Sequence, residues 1–305
     1  MVKAYRAQTF WHPRYWPSWI GVGFLRLFSC LPLPLIAAIG AVLGELLYRV
    51  HPGRRHVARV NIARCFPELD QPEHERLVRA HYRGFGQAAL DIGIGWWSSP
   101  KRLARVVRFR GREHYDRALA EGRNVILLAP HFLGLEIGGM RLSLERPIVT
   151  VFRHPDSALI RETMYRARRR FGMLLVEHNR PLTALIKQVK TGKPLYYLPD
   201  QDAGARNSVF VPFFGIQTAT FAVLGRLAAL TDAVVIPCWT RQLARGGGYE
   251  MIFETPLEGF PSGDAHADTL RMNAAIEHAV RQAPAQYFWL HKRFKTRPPG
   301  EPKFY

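Results

Sequence analysis

The sequence predicts an α/β fold with a mixed central sheet flanked by helices, preceded by an N-terminal transmembrane or membrane-embedded helix. Three observations carry this. Beyond residue 100, short runs rich in β-branched and aromatic residues alternate with helix-like segments. Ahead of them, Leu31 to Val50 is an apolar run whose charged residues, Glu45 and Arg49, lie near its end, and a membrane span needs roughly 20 such residues. The 305 residues contain no Ser/Gly linker, low-complexity tract or repeat that would split the chain further. The expected organisation is a membrane anchor over 1–50 and a cytoplasmic catalytic domain over 51–305.

In chain order, residues 1–17 mix aromatics and bases, and Trp11, Tyr15, Trp16 and Trp19 suit a membrane-water interface. Pro32 and Pro34 suit a helix start or a kink. A cleaved signal peptide fits poorly, because the apolar run is long and lacks a small-residue cleavage site; the competing arrangement is a hydrophobic hairpin lying in one leaflet or docked on the protein. Arg49, Arg54, Arg55, Arg59 and Arg64 follow the run, against Lys3, Arg6 and Arg14 before it. The positive-inside rule therefore puts the main domain in the cytoplasm. Over 72–97, Leu77, Phe85, Ala88, Ala89 and Ile92 recur with helical spacing toward Trp96 and Trp97. Strands are expected at Val106–Arg110, Val125–Ala129, Ile148–Arg153, Met173–Val176, Leu195–Leu198, Val234–Cys238 and Tyr249–Phe253, while Val209–Gly215 reads as an apolar loop.

The strand at 125–129 ends at Pro130, and His131 and Glu136 follow at the start of a helix. Histidine suits proton transfer near neutrality, and a carboxylate can fix its tautomer. Five residues on an ideal helix turn through roughly 500°, leaving side chains about 140° apart. The pair therefore forms only if His131 lies in the turn and Glu136 in the first helical turn.

Other segments offer binding groups. Arg153 ends a predicted strand, and Arg166, Arg168, Arg169 and Arg170 form a dense cluster; guanidinium forks suit phosphate or carboxylate, although a charge run is also what a solvated face looks like. Asp200 and Asp202 lie in Pro199-Asp200-Gln201-Asp202, with Arg206 just beyond. No third metal ligand is placed by the sequence, so orientation of substrate or of an arginine is the functional reading and turn chemistry the structural one. Phe210, Phe213 and Phe214 would line an acyl pocket or fill core. Tyr287 to Pro299 interleaves aromatics with bases, a pattern that also suits single-stranded nucleic acid.

Lys and Arg number 43 against 24 Asp and Glu, a net +19 that favours an acidic partner without choosing among nucleic acid, membrane, phosphorylated substrate or acidic protein. Cys30, Cys65 and Cys238 have no zinc-finger or redox spacing, and a reducing compartment is expected.

Taken together, these residues resemble the late acyltransferases of lipid A biosynthesis, the lauroyl/myristoyl transferases of Gram-negative inner membranes. The resemblance spans nearly the whole chain: the N-terminal apolar segment, His56 to Glu68, the His131-to-Glu136 spacing, Phe152-Arg153-His154-Pro155, Pro199 to Asp202 with Gly204, Val209 to Gly215, and Tyr287 to Pro298. It implies a glycerol-phosphate-acyltransferase-like fold and transfer of a fatty acyl group from acyl carrier protein to a 3-hydroxyacyl hydroxyl of a Kdo-bearing lipid A precursor. His131 would be the general base and Glu136 its orienting acid. The cluster Arg168, Arg169 and Arg170, with Arg169 or Arg170 as its site member, would together with Arg153 and Arg206 hold phosphates of substrate or carrier, with Asp200 orienting one arginine.

The resemblance further implies no cofactor or metal, direct attack without an acyl-enzyme, a monomer in contact with inner-membrane lipids, and no nucleic-acid partner. Three alternatives remain: an acyltransferase for another glycolipid or aminolipid, a membrane-tethered basic nucleic-acid-binding protein, and a metal-dependent hydrolase using His131 and Asp200.

Overall fold

The computed structural model describes residues 10–206 and 208–305. Lys3 and Arg6, two of the leader's cations, lie outside them. Two helices, α1 (Trp16–Phe28) and α2 (Leu33–Val50), occupy the expected anchor, joined by a turn where Pro32 takes the N-cap position of α2. Three more follow: α3 (Pro52–Cys65), α4 (Gln71–Trp97) and α5 (Pro100–Val106). Asp70 starts α4 through a capping box, accepting from the backbone of Glu73 while the Glu73 side chain accepts from the Asp70 backbone.

The remainder alternates as expected. β1 (Val107–Arg110), α6 (Arg112–Ala120), β2 (Asn124–Leu128), α7 (Leu135–Glu145), β3 (Val149–Phe152), α8 (Ala158–Arg169), β4 (Leu174–Glu177), α9 (Leu182–Val189) and β5 (Leu195–Tyr197) come first. β6 (Ser208–Phe213), β7 (Ile216–Phe221), α10 (Leu224–Thr231), β8 (Ala233–Gln242), β9 (Tyr249–Phe253) and α11 (Ala265–Gln282) complete the chain.

The main sheet is mixed and seven-stranded, ordered β1-β9-β8-β2-β5-β3-β4. All neighbours are parallel except β8 and β9. β2 sits at its centre and feeds both faces: Ile126 and Leu128 join one core cluster, Val125 and Leu127 the other. Burial on both faces explains why this strand reads as a continuous apolar run instead of an alternating one.

The expected loop at 209–215 is instead a β-hairpin. β6 and β7 pair antiparallel around Phe214 and Gly215, both at positive φ, as a two-residue turn of the twist-compatible kind requires. Val211 and Phe213 of β6 are buried, as is Phe214 in the turn, while Val209 and Phe210 are half-buried.

α2 is the one described helix long and apolar enough to cross a membrane by length and composition. It is not a free rod, because Ile36, Gly40, Gly44 and Tyr48 form a buried stripe. The glycines permit close backbone approach to α4: a Cβ at Gly44 would come within 2.1 Å of the Tyr82 carbonyl oxygen, and one at Gly86 within 2.1 Å of the Gly40 oxygen. The opposite side of the pair is bare, with Trp16, Ile20, Phe24 and Leu27 on α1 and Val42, Leu46 and Val50 on α2 exposed.

The C-terminal aromatics do not form an exposed stacking surface. Tyr287, Trp289 and Phe294 are buried, as is Arg293. The chain end after Pro298 folds back on α3, where the Tyr305 hydroxyl donates to Asn61.

Candidate active site

β2 and β5 are parallel neighbours, so their C-terminal ends open on the same edge of the sheet. His131 follows β2 and Asp200 follows β5, which brings together side chains 69 positions apart. His131 Nδ1 lies 2.7 Å from Asp200 Oδ1, and the His131 backbone N–H donates to Oδ2 at 2.8 Å. The carboxylate thus holds both the ring and the peptide of the same residue. Asp200 is 1% exposed and the His131 side chain 23% exposed, so the imidazole is reachable while its partner is not.

Burial alone would raise the Asp200 carboxyl. The adjacent His131, through its charge and its hydrogen bonds, outweighs that effect and holds the acid below the usual carboxylate range. An ionised Asp200 accepts the Nδ1–H of His131, which leaves Nε2 with its lone pair. The Gln201 amide nitrogen stands 3.2 Å from that Nε2.

The loop carrying Asp200 is fixed from the C-terminal segment. Arg293 donates to the Ala219 carbonyl at 3.0 Å and to the Thr220 hydroxyl at 2.9 Å, bracing the strand beneath the loop. Asp202 accepts from the backbone and hydroxyl of Thr296, both at 3.0 Å, and its own N–H donates to His291 Nε2 at 2.9 Å. Burial, with Arg293 nearby, pushes His291 down to about 4, so it is the neutral acceptor this bond needs. Residues 286–288 run along the His131 turn: Leu133 N–H donates to the Gln286 carbonyl and Phe288 N–H to the His131 carbonyl, each at 2.8 Å.

The pairing expected between His131 and Glu136 is not formed. Glu136 does lie in the first turn of α7, where a carboxylate is favoured by the helix dipole, but it is directed to the other flank. Arg168 grips it with Nε at 3.0 Å from Oε1 and Nη2 at 2.5 Å from Oε2, and Trp96 Nε1 donates to Oε1 at 3.0 Å. Arg168 outweighs the effect of burial and keeps the Glu136 carboxyl below its usual range. Asp200 therefore stands against His131 where the sequence placed Glu136, and it faces the histidine instead of an arginine of the cluster.

The remaining candidates are scattered. Arg170 donates to the carbonyls of Trp96 and Ser98, closing the end of α4. Arg169 is exposed and stacks over Tyr165 at 5.1 Å. Arg153 and Arg206 are exposed, with no hydrogen-bond partner among the described residues. Phe213 and Phe214 are packed in the core against Tyr287, Phe294 and Phe66, and half-buried Phe210 belongs to the hairpin. None of the three lines the cavity between α2, α4 and the C-terminal segment. Sequence reasoning missed Gln201, His291 and Arg293 as site-forming residues, and it placed Arg168 in the basic cluster without assigning it to Glu136. Their only linear signal was proximity to the motifs already noted.

An imidazole held by a buried carboxylate at the carboxyl edge of a parallel sheet, with its other nitrogen facing outward, is the arrangement of an enzyme that moves a proton during catalysis. The family model for bacterial lipid A biosynthesis acyltransferases matches residues 4–296. Among similar curated proteins is the lipid A biosynthesis lauroyltransferase of Escherichia coli K12, 36% identical over 96% of each chain. The palmitoleoyltransferase of the same organism is 31% identical over 98% of this chain and 97% of its own. Its myristoyltransferase is 30% identical over 96% and 91%. The chain belongs to the bacterial lipid A biosynthesis acyltransferase family.

Proposed function

We propose that this enzyme transfers a fatty acyl group from an acyl carrier protein thioester to the 3-hydroxyl of an acyl chain on a Kdo-bearing lipid A precursor. The observation that carries this reading is the His131–Asp200 pair with Nε2 directed away from the carboxylate. The acceptor hydroxyl, replacing the long Gln201 contact, gives its proton to Nε2 as its oxygen attacks the thioester carbonyl. The tetrahedral intermediate then collapses, the C–S bond breaks, and the leaving thiolate takes the proton back from the imidazolium. Asp200 stabilises that imidazolium throughout.

A free alcohol is too weakly acidic to attack a thioester unaided. Positioned base assistance contributes about 10²–10⁴-fold and oxyanion stabilisation about 10²–10³-fold. In this scheme no acyl-enzyme forms, and no metal or cofactor takes part. The exposed Arg153, Arg169 and Arg206 would meet phosphates of the substrate or the acidic carrier.

The same reading has the α1–α2 pair lying in the cytoplasmic leaflet of the inner membrane, its bare apolar side in lipid and its buried stripe on α4. A helix that gives one face to a soluble domain is better suited to lying along a membrane than to crossing it alone. The basic residues after α2 would meet anionic headgroups.

The direct test supplies purified enzyme with carrier thioester and lipid A precursor and weighs the lipid product by mass spectrometry. A mass gain of one acyl group is expected from wild type and not from His131→Ala. Absence of any gain with wild type would remove the reading.

A further inference from the structure

A cavity of about 530 Å³ lies between α2, α4 and the C-terminal segment, with Leu47, Phe85, Phe288 and Leu290 among its apolar walls. That volume is within the range of about 300–1,000 Å³ typical of small-molecule sites. Tyr82 is also in the wall, and its buried hydroxyl has no partner among the described residues.

One flank of this cavity is built from the same residues that frame the candidate base. Phe288 donates its backbone N–H to the His131 carbonyl, and His291, another wall residue, accepts from the Asp202 backbone two positions after Asp200. The other flank is α2. Leu47 and His51 line the cavity, while their neighbours Leu46 and Val50 belong to the exposed apolar side. The cavity, mostly apolar but with His51, Arg54 and His291 also in its wall, therefore lies next to both the surface suited to lipid and the backbone that frames His131.

We infer that this cavity seats a fatty acyl chain, with the chain's reactive end directed to His131. The inference rests on the acyl-transfer reading for its occupant. Two chains share the required chemistry: the one carried by the thioester donor and the hydroxyacyl chain already on the membrane-resident acceptor. Either would exchange apolar hydration for contact with Leu47, Phe85 and Phe288, which is favourable in proportion to the area covered. A chain that overfills or underfills such a space is discriminated by about tenfold or more per misfit methylene.

Two measurements test this. In the first, His131→Ala protein is irradiated with a carrier thioester bearing a diazirine near the chain terminus and, in a separate arm, with a lipid A precursor bearing the diazirine in its hydroxyacyl chain. Label on Leu47, Phe85 or Phe288 is expected in one arm, and that arm identifies the chain; label confined to other positions in both overturns the inference. In the second, Leu47→Trp narrows the cavity, and turnover is followed across graded lengths of the chain identified by labelling. The preferred length should shorten, with at least a tenfold loss for the longest chains, whereas an unchanged length profile overturns the inference. Labelling needs no turnover, so the two readings fail separately: label here in a protein whose wild type transfers nothing removes the reaction, and transfer without label here removes the channel.

Discussion

His131 and Asp200 meet at 2.7 Å although 69 residues separate them, while Glu136, five residues from the histidine, is bonded to Arg168 and Trp96 instead. This division gives the two carboxylates different expected phenotypes. Asp200→Asn keeps the shape but replaces the acceptor that holds Nδ1–H, leaving the wrong tautomer accessible and the imidazolium uncompensated. It should lower kcat by about 10²–10⁴-fold with an unchanged melting profile. Steady-state transfer rates near the wild-type value would show that Asp200 does not orient the base.

Glu136 and Arg168 are each about four-fifths buried, with side chains 23% and 20% exposed. Removing one charge from such a pair strands the other. Glu136→Gln is expected to cost about 2–3 kcal/mol in denaturant unfolding, below the range for fully buried pairs because of that exposure. The double variant Glu136→Leu with Arg168→Met should recover most of this loss. Additive destabilisation in the double-mutant cycle would contradict the pairing.

The glycine contacts between α2 and α4 make a steric prediction. A side chain at Gly86 would meet the backbone of α2, which cannot move aside locally, so Gly86→Leu should destabilise by about 3 kcal/mol. At Gly95 on the same helix a Cβ would meet only the Met140 side chain, at 3.4 Å, and Gly95→Ala should be nearly neutral. Equal melting temperatures for the two variants would argue against close packing of α2 on α4.

His81 is fully buried on α4, where desolvation pushes it down to about 4, and its Nδ1 bonds the Ala285 carbonyl at 3.0 Å. Below the unfolded value near 6.5, the unfolded chain takes up a proton that the folded chain refuses until about 4. Stability from this residue is therefore present above pH 6.5 and falls as pH drops through that window, by about 3 kcal/mol in total. Urea unfolding of His81→Phe should show a correspondingly flatter dependence between pH 7.5 and 4. Parallel curves for variant and wild type would exclude His81 as the source.

The bare side of α1 predicts lipid binding. Phe24→Ser together with Leu27→Ser removes apolar groups worth about 0.8 kcal/mol per buried CH₂ and should weaken sedimentation with anionic vesicles by tenfold or more. Circular dichroism should be unchanged, since neither side chain belongs to the core. Vesicle binding equal to wild type would place the membrane contact elsewhere.

The local chemistry of the chain was legible without coordinates. The apolar run of β2, the turn at Pro130, the helix over 71–97 and the six other strands of the main sheet all follow from periodicity, side-chain shape and capping, which act over a few residues. The hairpin of β6 and β7 is not legible in the sequence, because its turn is Phe214-Gly215 and only the glycine signals a positive φ. The buried C-terminal aromatics were ambiguous for a related reason: composition cannot tell a stacking surface from a core wall.

Partner choice was decided in three dimensions. The sequence by itself determined that a histidine would stand at the end of a buried strand with an acid a helical turn beyond it. Only the tertiary structure decided which acid it meets, since the order of parallel strands places β5 beside β2 and so delivers Asp200 to His131. The same assembly brings Arg168 to Glu136 and turns that nearer carboxylate away. Adjacency across a sheet depends on how the strands are ordered, and that ordering comes from packing of the whole core, which no spacing along the chain records.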